Sequence, residues 1–340
     1  MIVTNVTVRV PAKINLQLAV GPLRPDGYHD LVTVFHAISL FDEVSVAVAE
    51  TDSVAVGGEG AAQVPADGDN LALRAVRALR AATAAQAGPG VAVTISKRIP
   101  VAAGLAGGSA DAAGALVACN ELWSAGLSQQ DLCEVAAGVG SDVAFAVLGG
   151  TVVGRGRGER LTPALVPAAR YHWVLAFADG YLSTPEVYGA LDRLRALPAP
   201  GGQASGTGGS RPPSPPSPLA PRDLPHEGTA RPPIPPAPQL STELMAALRA
   251  GDAERIGRSL GNDLQAAAIS LFPALRKTLA AGREFGALGA LVSGSGPTCF
   301  FLARGANHAT DLAVALSGAG VCRSVARAAG PVPGASVIER

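Results

Sequence analysis

Ile99 to Asn120 reads IPVAAGLAGGSADAAGALVACN. Pro100 opens the segment, Gly104, Gly107 and Gly108 follow, and after Ser109 the run is dominated by alanine. Glycine reaches backbone angles closed to other residues and lets a second group come close to the main chain. Alanine has the highest helix propensity, so a helix is expected to start at Ser109, Ala110 and Asp111. A glycine loop entering a helix leaves several N–H donors unpaired at the positive end of the dipole. Such an end binds anions, phosphate above all. The same residues also suit a plain glycine-rich turn ahead of a buried helix, and glycine content alone does not separate the two. The loop lacks the lysine of a GxxxxGKS or GxxxxGKT P-loop, and it lacks GxGxxG spacing.

Around this segment lies a chain of 340 residues, enough for two domains with cores of their own. Lys plus Arg and Asp plus Glu each number 27, so there is no basic excess of the kind nucleic acid or an anionic membrane attracts. The four cysteines, Cys119, Cys133, Cys299 and Cys322, form no CxxC pair and have no histidine cluster, which fits a reduced, cytoplasmic setting. MIVTNVTVRVPAKIN at the N-terminus lacks the basic-then-apolar design of a signal peptide. No apolar run reaches transmembrane length.

Before the loop, Val6, Val8 and Val10 alternate with Thr7 and Arg9, and beyond Pro11 a second alternation runs through Ile14, Leu16, Leu18 and Val20. Both are strand signals. Lys13, Asn15 and Gln17 share the opposite face, which is most simply a solvated one. In RPDGYHDL, residues 24–31, Pro25, Asp26 and Gly27 form a turn, and Tyr28 and His29 follow it. By its own chemistry His29 is a surface or capping residue. Strands are expected over 32–48 with a turn at Phe41, Asp42 and Glu43, and a loop over 57–68. Asp69 or Asn70 caps a helix over 71–82. A strand through Val91, Val93 and Ile95 ends at Lys97, a position that suits a solvated strand end.

Beyond the loop, a helix is expected over 127–138 with Ser128 a capping candidate, and Asp142 stands before the apolar run Val143 to Leu148, where an aspartate is usually an N-cap. GRGRGER at 154–160 is a hairpin turn rather than a phosphate loop. Trp173 to Phe177 is a buried strand, and Ser183, Thr184 and Pro185 lead into a helix over 186–197. Pro198 to Pro238 holds 14 of the chain's 27 prolines. That composition cannot bury enough apolar surface to offset ordering entropy, which predicts a disordered insertion over 198–239. Helices are expected over 241–250, 253–264 and 271–281. Strands flank the glycine loop at Ser293 to Pro297, and a helix over 310–316 and a strand over 321–326 follow.

Four segments carry a resemblance to one family. GLAGGSADAA, residues 104–113, resembles the second motif of the GHMP kinases, in which the loop wraps the ATP phosphates. Ala106 stands where glycine is common there, and alanine fits if it keeps a negative φ. PAKINLQLAVGPLRPDGYHDLVTVF, residues 11–35, resembles the first motif of one branch of that family, whose substrate is a cytidine diphosphate-linked methylerythritol. GSDVAFAVLGG at 140–150 resembles the segment holding the catalytic base, and GALVSGSGPTCFFL at 289–302 resembles the third motif. GNDLQ at 261–265 also has a family counterpart. The likeness spans nearly everything except the insertion, which is not a family feature.

The resemblance implies an α+β, two-domain fold. A ribosomal-protein-like N-terminal domain covers 1–168, and a ferredoxin-like C-terminal domain covers 169–340. The implied reaction is ATP-dependent phosphorylation of the substrate's 2-hydroxyl, in the non-mevalonate isoprenoid route, with Mg²⁺ accompanying the nucleotide and a monomer or homodimer as the acting unit. Pro100, Val101, Ala102, Ala103, Gly104, Leu105, Ala106, Gly107, Gly108, Ser109 and Ala110 would hold the ATP phosphates, with Asn70 near the adenine and Lys97 bordering the nucleotide. Ser109 would touch Mg²⁺ or the β-phosphate. Asp142 would accept the hydroxyl proton and Lys13 would hold it ionised. Asn15, Tyr28, His29 and Thr184 would meet the substrate, Tyr28 and His29 at its cytidine end, and Gly294, Ser295 and Gly296 would close on the phosphates. Another GHMP small-molecule kinase, acting on homoserine, mevalonate or a sugar, and a non-catalytic nucleotide-binding relative are the competing readings.

Overall fold

The computed structural model describes residues 5–83, 89–167, 169–196 and 237–340; the expected insertion falls almost wholly outside them. A first sheet is built on two long antiparallel strands, β1 (Asn5–Leu23) and β2 (His29–Ala49). β3 (Ser53–Gly58) and β4 (Gly90–Lys97) extend it on one side, parallel to each other, in the order β12-β1-β2-β4-β3. The other half of β2 pairs with β5 (Thr151–Gly156), which forms a hairpin with β6 (Arg160–Pro163) through the GRGRGER turn. The chain's last strand, β12 (Ser336–Glu339), returns to this sheet beside β1.

Pro11 does not divide β1. The register shifts between Pro11 and Ala12, whose partners are Phe41 and Ile38, so Ser39 and Leu40 are extra residues on β2. A proline in a central strand is tolerated at such a bulge because it owes no ladder hydrogen bond there. The turn expected at Phe41 to Glu43 is therefore continuous strand. Nor is the row Lys13, Asn15 and Gln17 a solvated face: all three are buried.

Helices cover one face of this sheet: α1 (Leu71–Ala82), α2 (Gly107–Leu122), α3 (Gln129–Val139) and α4 (Ser141–Leu148). α2 is buried along most of its length. Gly114 lets it lie against the strands, since a Cβ there would stand 2.7 Å from Val44 and 2.9 Å from Val10. Asn70 caps α1 by accepting from the Ala72 N–H, and Ser128 and Asp131 form a reciprocal capping box on α3.

The second sheet has the order β11-β7-β10-β9, all antiparallel: β7 (Tyr171–Phe177), β9 (Gly289–Val292), β10 (Cys299–Ala303) and β11 (Ser324–Gly330). Its helices are α5 (Thr184–Ala196), α6 (Thr242–Ala250), α7 (Ala253–Ser259), α8 (Gln265–Leu271), α9 (Ala274–Glu284) and α10 (Ala306–Gly318). Renumbered within the sheet, the order is 4-1-3-2, the split β-α-β arrangement of ferredoxin-like domains. Alternation along β7 sends Trp173 and Leu175 into the larger core shared with the first sheet, and Val174 and Ala176 into a core with α9 and α10.

Two expected helices are interrupted. The one over 253–264 ends at Ser259, because Gly261 and Asn262 form a short strand, β8, parallel to β1. The one expected to begin at Leu271 instead starts anew after Phe272, with Pro273 as the N-cap of α9.

Candidate active site

A cleft of about 570 Å³ opens where the two sheets meet. Its walls come from β1 (Lys13, Asn15), the glycine loop (Ala102, Gly104, Ala106 to Ser109), the start of α4 (Asp142), the start of α5 (Thr184) and the β9–β10 loop (Gly294, Ser295). Leu105 in the same loop and Ala110 in the first turn of α2 face the core instead. Pro100 and Val101 line a neighbouring hollow behind the loop.

The loop's conformation differs from the sequence expectation at one point. Ala106 is the N-cap of α2, in the left-handed region with φ 60°, and Ala102 is at φ 52°. α2 thus begins at Gly107, two residues earlier than expected, and the alanine does not keep a negative φ. A non-glycine residue in that region costs roughly 1–2 kcal/mol, held by the core packing of Ala103 and Leu105 between the two alanines.

Lys13 Nζ donates to Asn15 Oδ1 at 2.8 Å and stands 3.8 Å from Asp142 Oδ2. Asn15 in turn donates to Thr33 Oγ1 at 2.8 Å, and Thr33 to the Gln17 carbonyl. Burial pushes the Lys13 ammonium below its ordinary value of 10.5, and the Asp142 carboxylate partly restores it. Asp142 is not a helix cap: Gly140 occupies the N-cap of α4, and the Asp142 carboxylate, beside Lys13, faces the cleft from the first turn.

Lys97 is not a solvated strand end either. Its ammonium is buried between Asp42, at 2.5 Å, and Asp111, at 2.7 Å. Asp42 also accepts from the Arg98 and Ile99 N–H groups, pinning the strand end that enters the glycine loop. Burial pushes the Asp111 carboxyl up to about 7 despite Lys97, and its Oδ1 has no hydrogen-bond partner among the described residues. Lys97, Asp111, Asn70, Val101 and Gly108 surround a second hollow of about 290 Å³ on the far side of the loop.

Tyr28 and His29 part company. Tyr28 is 56% exposed, with the Arg157 guanidinium 5.1 Å above its ring. His29 is buried, not a surface residue: its ring bonds Asp192 at 3.0 Å and lies 5.2 Å from Tyr188. Tyr188 and Arg157 both line the cleft. The sequence reading missed them because one looked like helix filler and the other like a turn residue. Thr184 shares a 2.9 Å hydroxyl contact with Ser295. Gly296 stays outside the cleft wall.

A family profile described as GHMP kinases N terminal domain matches residues 70–150, and one described as GHMP kinases C terminal matches 244–322. The 4-diphosphocytidyl-2-C-methyl-D-erythritol kinase of Mycolicibacterium smegmatis is 52% identical over 98% of this chain and 92% of its own length. The chain belongs to the GHMP kinase family. The Nocardia farcinica protein of the same name is 51% identical, over 98% of this GHMP kinase and 96% of the relative. Among solved structures, a 4-(cytidine 5'-diphospho)-2C-methyl-D-erythritol kinase superposes with a TM-score of 0.66 at 32% identity, covering 95% of this chain and 98% of that one. Homoserine kinase from Cytophaga hutchinsonii reaches 0.68 at 19% identity, covering 99% and 98%; that likeness is one of fold. This GHMP kinase has, among its described residues, no helix long and apolar enough to cross a membrane.

Proposed function

We propose that this chain transfers the γ-phosphoryl group of ATP to the 2-hydroxyl of 4-diphosphocytidyl-2-C-methyl-D-erythritol. The substrate comes from the relatives, half of whose residues match over nearly the whole chain. The observation that carries the chemistry is the Lys13–Asp142 pair, 3.8 Å apart on the wall of a cleft whose other wall is a glycine loop at a helix N-terminus.

In this reading Ala102 to Ser109 cradle the phosphates through N–H groups at the start of α2. Asp142 accepts the hydroxyl proton as the new O–P bond forms and the bond to the β-phosphate bridge breaks, releasing ADP. Lys13 pairs with Asp142 and offsets negative charge on the moving phosphoryl group. Asn15 fixes the Lys13 ammonium. Tyr28, Tyr188 and Arg157 take the cytidine end, with His29 positioning Tyr188. Among the described residues no cluster of three His, Cys, Asp or Glu side chains could hold a metal. The nucleotide phosphates would therefore carry Mg²⁺, with the Ser109 hydroxyl as the protein's contact; the ion neutralises phosphate charge. Asn70 and Lys97 border the base. Two domains dividing near residue 168, a cytoplasmic location and a monomer or homodimer complete the reading.

The test is a product assay with ATP and the cytidyl substrate, following the 2-phosphate by phosphorus NMR. Formation of that product with equimolar ADP is expected. Equal turnover of homoserine or mevalonate, or no ADP at all, would overturn the reading.

A further inference from the structure

GNDLQ has no role in the chemistry above, yet Asn262 sits at a junction. Its Nδ2 donates to the carbonyls of both Val292 and Gly294, each at 2.8 Å, and its Oδ1 accepts from the Leu264 N–H at 2.9 Å. The backbone around it is paired with β1: Asn262 lies opposite Leu18, and the Asp263 N–H donates to the Leu18 carbonyl.

The loop that Asn262 holds is the one that presses on the site. Ser293, fully buried, donates from Oγ to the Gly104 carbonyl at 2.9 Å, tying the third-motif loop to the phosphate loop. The two loops are packed so closely that a Cβ on Gly104 would collide with the Ser293 carbonyl. A Cβ on Gly294 would stand 3.2 Å from Lys13 Nζ. The Lys13 N–H donates to the Leu105 carbonyl at 3.2 Å. The hydrogen bonds therefore close a circuit from β1 through Asn262, Gly294 and Ser293 to Gly104 and Leu105, and back to β1 at Lys13.

We infer that Asn262 is a positioning residue for phosphoryl transfer: its two donated hydrogen bonds set the third-motif loop against Lys13 and the phosphate loop. This deepens the kinase reading above and rests on it. A displacement of about 1 Å at a reacting centre can cost roughly 100-fold in rate. A peptide carbonyl freed of its partner would let the loop relax by that order.

The experiment compares wild type, Asn262→Ala, Asn262→Asp and Ser293→Ala in steady-state kinetics with ATP and the cytidyl substrate, with a thermal melt of each. Wild-type turnover judges the kinase reading; the variant-to-wild-type ratio judges this inference. Asn262→Ala should lower kcat by roughly 10–100-fold while KM for the cytidyl substrate stays close to wild type. Asn262→Asp keeps an acceptor for Leu264 but loses both donations, so it should be as impaired as the alanine variant. Recovery of kcat by Asn262→Asp would overturn the inference and leave Asn262 as an acceptor for the Leu264 N–H ahead of α8. A near-normal kcat in Asn262→Ala would also overturn it. Should Asn262→Ala not fold, Ser293→Ala decides: a lower kcat at unchanged KM supports the circuit, and an unchanged kcat refutes it.

Discussion

Lys13, from the middle of β1, places its ammonium 3.8 Å from the carboxylate of Asp142 in the first turn of α4. Lys13 is buried, and Asp142 keeps 31% of its side chain exposed toward the cleft. A buried cation beside an accessible carboxylate suits a proton acceptor that must meet a substrate. Asp142→Asn keeps size but cannot take a proton, and kcat should drop roughly 10²–10⁴-fold. Binding of both substrates, measured by calorimetry, should survive. An asparagine variant with near-normal turnover would remove the base role.

The lowered pKa of Lys13 has a measurable sign. Between its value in the folded protein and 10.5, the native state has released a proton that the unfolded chain still holds. Stability therefore rises with pH across that window, because the unfolded state binds more protons. Urea denaturation of wild type and Lys13→Met at several alkaline pH values should show the difference moving in favour of wild type as pH approaches 10.5. Turnover of wild type should fall over the same window as the ammonium loses its charge. A stability difference independent of pH would mean that burial does not perturb Lys13.

Tyr28 lies under the Arg157 guanidinium and Tyr188 lies against His29, and Arg157 and Tyr188 both line the cleft. Stacking on a base contributes roughly 1–3 kcal/mol. Tyr28→Ala and Tyr188→Ala should each lower kcat/KM for the cytidyl substrate by about one to two decades, with KM for ATP nearly unchanged. An equal loss of ATP affinity would show that these rings do not face the cytidine end.

Asp42 is fully buried and holds Lys97 together with the N–H groups of Arg98 and Ile99. Asp42→Ala leaves a buried ammonium with Asp111 alone and two backbone donors unpaired. A loss of about 3–5 kcal/mol in unfolding free energy is expected, the usual consequence of breaking a buried ion pair. Chemical denaturation would show it, and a loss under about 1 kcal/mol would mean that water takes over the role of the carboxylate.

Ala106→Gly tests the left-handed N-cap. Glycine removes the steric cost at φ 60° but adds freedom to the unfolded chain. The first effect is the larger, so stability should rise by up to about 1 kcal/mol, seen as a higher melting temperature with kinase activity retained. A lower melting temperature would show that the alanine methyl is itself packed.

Local sequence determined a good deal of this protein. Period-two alternation marked β1, and continuous apolar runs marked β7 and the strands around Ser293 to Pro297, while Ser128 and Asn70 marked helix starts because their side chains bond N–H groups only two or three residues away. The glycine loop and the placement of Asp142 before an apolar run could likewise be read in order along the chain. What the chain could not disclose is pairing between distant segments. Asp42 read as a turn residue and Lys97 as a strand end, since nothing near either in sequence shows that the β2 bulge and the α2 N-terminus bring them within 2.5 Å. His29, Tyr188 and Arg157 sit on three separate elements, and Asn262 reaches Gly294 only because β8 runs beside β1. A buried charge or amide is stable only where partners converge on it, and that convergence is a property of the packed sheets rather than of any stretch of chain.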